Sequence, residues 1–358
     1  MNYEPLTQRH RPRKLEELIG QDTATKIVAG MLSTGKIPRA FLISGVYSSG
    51  KTTLARIIAR YLNCQAAKEA VPCGICQSCM AFEMGSHSDV QEIDAASQRG
   101  IDNIRELQEI SRFAPRFKMR VVILDECQAL TDAAWRAFLK TLEEPPAKTV
   151  FILVTTEPGM LPDTIISRCS QIPLNPVTVF ETAELLMRVA QVESIPLDPA
   201  AATLIAEAAY GHPRNALTLL EQAAHYLAGS KDITAILPSM VEQHLKLAPK
   251  QLVEVFVLKL LEGDTAACIR LSQAVTGQQE DFVRTVIGYL YQVIFKQIAP
   301  KVVDFSFTSF LSKITIPVNH VKVTMQIDFL DQALFRLRKH DPDPVRVLYL
   351  ATLKATTI

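Results

Sequence analysis

The feature that most constrains this chain is a glycine-rich loop set between a strand and a helix. Ala40–Ser44 is a short apolar run that predicts a buried strand, and Gly45-Val46-Tyr47-Ser48-Ser49-Gly50-Lys51-Thr52 follows at once. Leu54, Ala55, Ile57, Ile58, Ala59 and Leu62 then recur at helical spacing. The loop fits G-x-x-x-x-G-K-[ST] at every fixed position. In such a loop glycines let backbone N–H groups close around phosphates, the lysine reaches the terminal phosphates, and the hydroxyl can hold Mg²⁺. The helix N-terminus adds partial positive charge where the anion sits. Gly45, Gly50, Lys51 and Thr52 are candidate nucleotide ligands, with Ser48, Ser49 and Thr53 beside them. The plainer alternative is an ordinary glycine turn.

Two further strands carry polar ends. Arg120-Val121-Val122-Ile123-Leu124-Asp125-Glu126 is a β-branched run ending in two carboxylates, which suits a parallel sheet whose ligands gather at the C-terminal edge. Asp125 can orient a Mg²⁺ shell with Thr52, and Glu126 can polarise an attacking water. Thr149–Thr156 is a third strand; Thr155 or Thr156 would sit beside the terminal phosphate if this strand lies between the other two. Arg168, in Ser167-Arg168-Cys169, stands where an arginine finger could reach a nucleotide held by a neighbouring subunit. Arg214, in a run that opens another helix, could touch the same chain's γ-phosphate; a solvated surface arginine is the alternative for both.

Cys64, Cys73, Cys76 and Cys79 form C-x8-C-x2-C-x2-C, with Pro72 and Gly74 bending the chain between them. Four thiolates so close together suit a closed tetrahedral Zn²⁺ site without a catalytic position. A metal-free cluster and an Fe–S centre are the alternatives. Cys127, Cys169 and Cys268 read as packing residues.

The 358 residues allow two or three domains, and 48% hydrophobic against 21% charged content is that of a folded protein. A formal charge of +1 argues against wholesale electrostatic capture of nucleic acid, so any DNA contact must come from a local patch. No signal-peptide layout and no bilayer-length apolar run is present, which gives the expectation of a cytoplasmic protein without structural disulfides.

Together these residues resemble the gamma/tau family of bacterial sliding-clamp loader subunits, AAA+ ATPases of the DNA polymerase III holoenzyme. The likeness begins at Arg11-Pro12 and Leu18-Ile19-Gly20-Gln21 and runs through the phosphate loop and the four cysteines after its helix. It continues through Glu92–Ser97, Leu139–Pro146 and Ser167-Arg168-Cys169, covering residues 1 to about 220. It implies an AAA+ P-loop core with a parallel sheet and a zinc-binding insertion, then a small helical lid and an all-helical collar. By that likeness Arg11, Pro12 and Ile19 contact the adenine side, and Lys51 and Thr52 bind ATP and Mg²⁺. Asp125 and Glu126 complete hydrolysis, Thr155 is the first sensor, Arg168 the finger in trans and Arg214 the second sensor. Gln98, Arg99 and Asn103 lie where related loaders touch the DNA backbone, although such residues on a helix are more often plainly solvated. The implied partners are other loader subunits in a ring-like hetero-oligomer, a sliding clamp and primer-template DNA, with no membrane. After Asp125-Glu126 this chain has Cys127-Gln128, where the family commonly has a small aliphatic residue and histidine.

The expected domains are 1–176 with the cysteine module at 64–79, a lid at 177–246 and a collar at 247–358. Ile172-Pro173-Leu174-Asn175-Pro176 should end the core, because prolines stop regular structure, and Leu247-Ala248-Pro249 marks a second boundary. Helices are expected at Val179–Val192, Ala200–Ala209 and Arg214–Leu227, then through most of the chain from Gln251. Leu252, Val255, Phe256 and Leu260 are assigned one buried face, and Phe282, Val286, Leu290, Val293 and Ile294 another. Val345–Leu350 packs either internally or against sister subunits. The likeness is to a short form without the proline-rich extension of longer members, or to a longer member cut behind the collar. Two other functions fit some motifs: a non-hydrolysing scaffold of the same assembly, and a branch-migration or remodelling motor. An intact phosphate loop speaks against the first. The second lacks a four-cysteine insertion and usually ends in a winged helix.

Overall fold

Strand β4 (Thr149–Thr155) is buried at all seven positions, as its β-branched and aromatic sequence requires of a strand covered on both faces. The computed structural model describes residues 3–67, 71–230, 234–244, 250–275, 278–298, 308–314, 317–338 and 343–357. Strands β1 (Ala40–Ser44), β2 (Val90–Asp94), β3 (Arg120–Asp125), β4 and β5 (Ser170–Pro173) form one parallel sheet in the order β2-β3-β4-β1-β5. β4 therefore lies between β3 and β1, the condition on which the placement of Thr155 rested. Ser44 pairs with Thr155 and Leu124 with Leu153, so Asp125 and Glu126 leave the sheet at the edge where the phosphate loop begins.

The helices of this unit are α1 (Leu6–Arg9), α2 (Asp22–Thr34), α3 (Lys51–Asn63), α4 (Gln77–Glu83), α5 (Ile101–Ser111), α6 (Asp132–Glu143) and α7 (Asp163–Ile166). Two apolar clusters cover the sheet's faces. One joins Leu54, Ile57 and Ile58 of α3 to Ile43, Ile123 and Ile152; the other joins Trp135 and Phe138 of α6 to Leu42, Leu124 and Phe151. Phe138 meets Phe151 edge to face, with ring centroids 5.2 Å apart.

The last strand of the sheet ends within the proline-flanked segment Ile172–Pro176. Ser170–Pro173 is a fifth strand, and Pro173 ends it opposite Ser44. Among the described residues β5 pairs with β1 alone, so the missing proline N–H falls on the sheet's outer edge and breaks no ladder.

Three helices follow: α8 (Val179–Val192), α9 (Pro199–Ala208) and α10 (Pro213–Gly229). α8 matches the expected limits and opens with a capping box between Thr178 and Glu181. The other two begin one residue earlier than expected, at a proline whose fixed φ suits the first helical turn. Asp198 caps α9 by accepting from the N–H groups of Ala200 and Ala201.

The chain divides into two compact units, Met1–Ala235 and Ile236–Ile358. α11 (Pro238–His244), which the expected lid range contained, belongs to the second unit; Leu247-Ala248-Pro249 lies outside the described residues. The second unit continues with α12 (Lys250–Glu262), α13 (Thr265–Gln273), α14 (Gln279–Ile298), α15 (Thr308–Ser312), α16 (His320–Arg338) and α17 (Pro344–Thr356). Its described residues include no strand.

The buried face assigned to α12 needs correction. Val255 is 44% exposed, whereas Val253, Phe256, Val257 and Leu260 are fully buried. Packing here runs at spacings of three and four from Val253, leaving Val255 across the axis. On α14 Phe282, Val286, Leu290 and Val293 are buried as expected, and Ile294 packs against them. α17 divides between the two expectations: Val347 and Leu348 are buried inside the unit, while Val345 and Leu350 are exposed. Among the described residues no helix is long and apolar enough to cross a membrane.

Candidate functional site

The loop from Gly45 to Gly50 is held against the sheet by its neighbours. Gly45 N–H donates to the Thr155 carbonyl (3.3 Å), and Leu174 N–H donates to the Ser44 carbonyl (2.7 Å). A Cβ at Gly45 would lie 2.8 Å from the Leu174 carbonyl oxygen, so no larger residue fits. Gly50 caps α3 with φ +95°, a conformation that favours glycine. Lys51 folds back and donates from Nζ to the Val46 carbonyl (2.8 Å), as does Ser49 Oγ (2.9 Å). Burial lowers the Lys51 pKa, opposed by the nearby Glu126 and Asp125 carboxylates. Thr52 Oγ1 donates to Asp125 Oδ2 at 2.8 Å, joining the two groups expected to share a metal shell. Burial raises the Asp125 pKa, and the Thr52 bond works against that rise.

Glu126 has φ +48°, a left-handed conformation that costs a non-glycine residue of order 1–3 kcal/mol and clusters at functional sites. Its Oε2 accepts from Gln128 Nε2 (2.6 Å) and from Thr156 Oγ1 (3.2 Å). Gln128 Nε2 also donates to Thr156 Oγ1 (3.0 Å), and Gln128 Oε1 accepts from Thr155 Oγ1 (2.7 Å). Gln128 was not among the expected site residues. Its signal in the sequence was the departure from the family pattern directly after the two carboxylates.

The N-terminal segment and the lid helices close round the same loop. Arg11 Nε donates to Thr53 Oγ1 (3.3 Å), and burial, with Arg56 and Arg214 nearby, lowers its pKa to about 10. Pro12 and Ile19 are half-buried in the same segment. Buried Gln21 bonds Asn175 twice, donating to its carbonyl (2.8 Å) and accepting from its N–H (2.9 Å). Ser48, at φ +64°, accepts from the backbone N–H of Arg214 (3.2 Å), and Tyr47 packs edge-on to His212 at 5.7 Å. The segment is anchored upstream by Leu6 N–H and Tyr3 Oη to Glu221, and by Arg9 and His10 to Glu193.

Arg168 follows the short helix α7 rather than lying inside a helix. Its guanidinium pairs with Glu143 (2.8 Å) and donates to the Thr164 carbonyl (2.7 Å), with no hydrogen bond to the phosphate loop among the described residues. Gln98 and Arg99 are exposed in the turn before α5, also outside a helix, and Asn103 lies in its first turn.

Helix α3 ends at the cysteine cluster. Cys64 is its C-cap, Cys76 is the N-cap of α4, and Cys79 lies within α4. The sulfur atoms of Cys64, Cys73, Cys76 and Cys79 all lie within 4.8 Å of one another. A tetrahedral site with Zn–S bonds of about 2.3 Å spaces its sulfurs by about 3.8 Å, so the four fit such an ion with a small contraction. Cys73 N–H donates to Cys64 Sγ at 3.2 Å. Backbone N–H groups of Ile75 and Cys76 lower the Cys73 pKa to about 6, while burial pushes Cys79 up to about 12. Arg60 of α3 is buried beside them: it pairs with Glu83 (2.5 Å), hydrogen-bonds Cys79, and leaves Nε without a partner. Cys127 and Cys268 are buried and Cys169 half-buried; burial raises all three pKa values.

Comparison with known proteins agrees with this architecture. Residues 20–178 match a family described as DNA polymerase III, delta subunit, and residues 182–229 match the ATPase lid domain of the DNA polymerase III clamp loader subunit. DNA polymerase III subunit tau of Escherichia coli is 33% identical over 305 residues, 84% of this chain and 46% of that protein. The tau subunit of Bacillus subtilis is 40% identical over 227 residues, 63% of this chain and 40% of that protein. The gamma subunit of Buchnera aphidicola is 35% identical over 223 residues, 62% of this chain and 60% of that protein. The chain thus spans about half the length of the curated relatives it matches. Among solved structures the Thermotoga maritima RuvB Holliday junction branch migration motor superposes with a TM-score of 0.52 at 20% identity, covering 71% of this chain and 80% of that one. That likeness is one of fold, and it is the AAA+ P-loop fold. By sequence the chain is similar to the tau and gamma subunits of DNA polymerase III, and it carries the lid domain of their clamp loader.

Proposed function

We propose that this chain is an ATP-hydrolysing motor subunit of a sliding-clamp loader. The observation that carries this is the convergence of Lys51, Thr52, Asp125, Glu126 and Thr155 on one edge of the sheet, with no member of the set replaced. A scaffold subunit has no need of that complete set.

The Gly45–Gly50 amides and Lys51 would hold the phosphates of ATP, with Ser48, Ser49 and Thr53 lining the loop. The Lys51 ammonium would exchange the Val46 carbonyl for a phosphate oxygen. Thr52 and Asp125, already bonded to one another, would hold Mg²⁺. Glu126 would orient the attacking water, and Thr155 would donate to the terminal phosphate. Arg11, Pro12 and Ile19 would border the base. Arg214 would reach the phosphates from the lid, where its backbone N–H at the start of α10 already donates to Ser48 Oγ. Arg168, which pairs with Glu143 at the chain's own surface, would act on a neighbour's nucleotide.

Binding energy from the nucleotide would favour the arrangement that grips a ring-shaped clamp. Primed DNA would trigger hydrolysis and release; only differential affinity of the two states can drive such a cycle. The partners would be other loader subunits, the clamp and primer-template DNA, with Gln98, Arg99 and Asn103 as candidate DNA contacts. The setting would be the cytoplasm, within a DNA polymerase holoenzyme. Cys64, Cys73, Cys76 and Cys79 would hold Zn²⁺, which when bound supplies a structural crosslink and no catalysis.

Lys51→Ala tests the nucleotide assignment. ATP affinity should fall about 100-fold or more, the scale of losing a buried charged phosphate contact, with thermal stability and metal content unchanged. Wild-type affinity in this variant would refute it.

A further inference from the structure

We infer that Gln128 is a positioning residue that ties Thr155, the candidate phosphate sensor, to Glu126, the candidate catalytic carboxylate. The inference rests on the ATPase proposed above. It starts from a count of protons. The Gln128 carboxamide has two N–H donors; one goes to Glu126 Oε2 (2.6 Å) and the other to Thr156 Oγ1 (3.0 Å). The carboxamide oxygen accepts the single Thr155 hydroxyl proton (2.7 Å). Thr156 passes its own proton to Glu126 Oε2 (3.2 Å), and Thr155 Oγ1 accepts from Glu157 N–H (3.0 Å). Both Gln128 donors are therefore used, and Glu126 is held by two of the network's protons.

Thr155 has one proton to give. If it donates to a phosphate oxygen it must leave Gln128 Oε1, and the carboxamide loses the bond that fixes its far end. The grip on Glu126 then changes with no direct contact between Thr155 and Glu126. Phosphate occupancy and the carboxylate's position become linked through one side chain. Three elements supply it: the turn after β3 (Gln128), the end of β4 (Thr155, Thr156) and the left-handed residue Glu126, whose φ of +48° aims its side chain back toward that turn. Gln128 touches no reacting atom in this scheme. It is neutral, so it positions Glu126 by hydrogen bonding alone.

The test is steady-state ATP turnover of the complete assembly carrying wild-type chain, Gln128→Ala, Thr155→Val, or both, with ATP binding measured separately. Gln128→Ala should lower kcat about 10-fold, less than the ~10²–10⁴-fold a general base itself supplies because Glu126 is still present, and leave KM and the ATP dissociation constant within about twofold. The double variant should be no slower than the slower single one, because both break the same link. Should Gln128→Ala unfold, Gln128→Met keeps the approximate length and the neutrality while removing both N–H donors and the amide acceptor, and the same kcat loss at unchanged binding is expected. Turnover within twofold of wild type, or effects that multiply in the double variant, would overturn the inference. A wild-type assembly that binds ATP but never hydrolyses it would instead refute the ATPase reading.

Discussion

Helix α3 carries a candidate site at each end, and the two ends are built on opposite principles. At its N-terminus the lysine, hydroxyl and carboxylate groups at the centre of the site already have protein partners. Lys51 and Ser49 use the Val46 carbonyl, Thr52 uses Asp125, and Glu126 uses Gln128 and Thr156. A nucleotide arriving there exchanges hydrogen bonds and creates few new constraints. At the C-terminus, about 20 Å away at 1.5 Å per residue, four sulfurs crowd together with pKa values driven apart, from about 6 at Cys73 to about 12 at Cys79. An ion that takes all four as thiolates would satisfy them together, and its binding energy becomes folding energy. Nucleotide should therefore change what the chain does, and metal should change whether the module folds.

The largest expected effect follows from that contrast. Removing metal with a strong chelator, or Cys79→Ser, should lower the thermal midpoint of the Met1–Ala235 unit by about 10 °C or more, taking ~2–4 °C per kcal/mol for a unit of this size. Removing nucleotide should shift it only by the mass-action stabilisation of a bound ligand. Elemental analysis should find about one zinc per chain. A metal-free protein of unchanged stability would erase the difference between the two ends.

A smaller effect sharpens the comparison. Arg60 lies on α3 between the sites, buried, bonded to Cys79 and paired with Glu83. A guanidinium beside a tetrathiolate offsets the excess negative charge, as outer-shell partners of metal ligands do. Arg60→Met should weaken zinc about 10- to 100-fold and leave ATP affinity within twofold. Competition with a chromophoric chelator reads the first and nucleotide titration the second. Equal losses at both would mean that α3 transmits between its ends.

What was legible in the sequence was whatever a short contiguous pattern specifies. β1, β3 and β4 carry unbroken apolar runs because two covered faces demand them, and the phosphate loop's glycines are fixed by local contacts. The sheet's edges were harder. β2 buries only Ile93 fully and β5 only Ile172, so neither gives a strong periodic signal, and Pro173 argued against a strand that the edge position permits. Val255 was misassigned because a stretch as apolar as Val253–Leu261, with only Glu254 and Lys259 to mark a polar side, fixes poorly which face turns inward. Arg11's burial, the Gln21–Asn175 pair and the Gln128 network join residues 27 to 154 positions apart. No spacing rule reports contacts of that range.

The most direct test of a clamp-loading motor is ATP turnover by the chain assembled with partner loader subunits, with and without sliding clamp and primed DNA. Turnover should rise when both clamp and primed DNA are present. Arg168→Ala in the same assembly should reduce it about 10³-fold or more, the range for an arginine finger, with ATP still bound. Tight ATP binding with no turnover under any combination, or undiminished turnover with Arg168 removed, would contradict a motor whose sites are completed by neighbouring subunits.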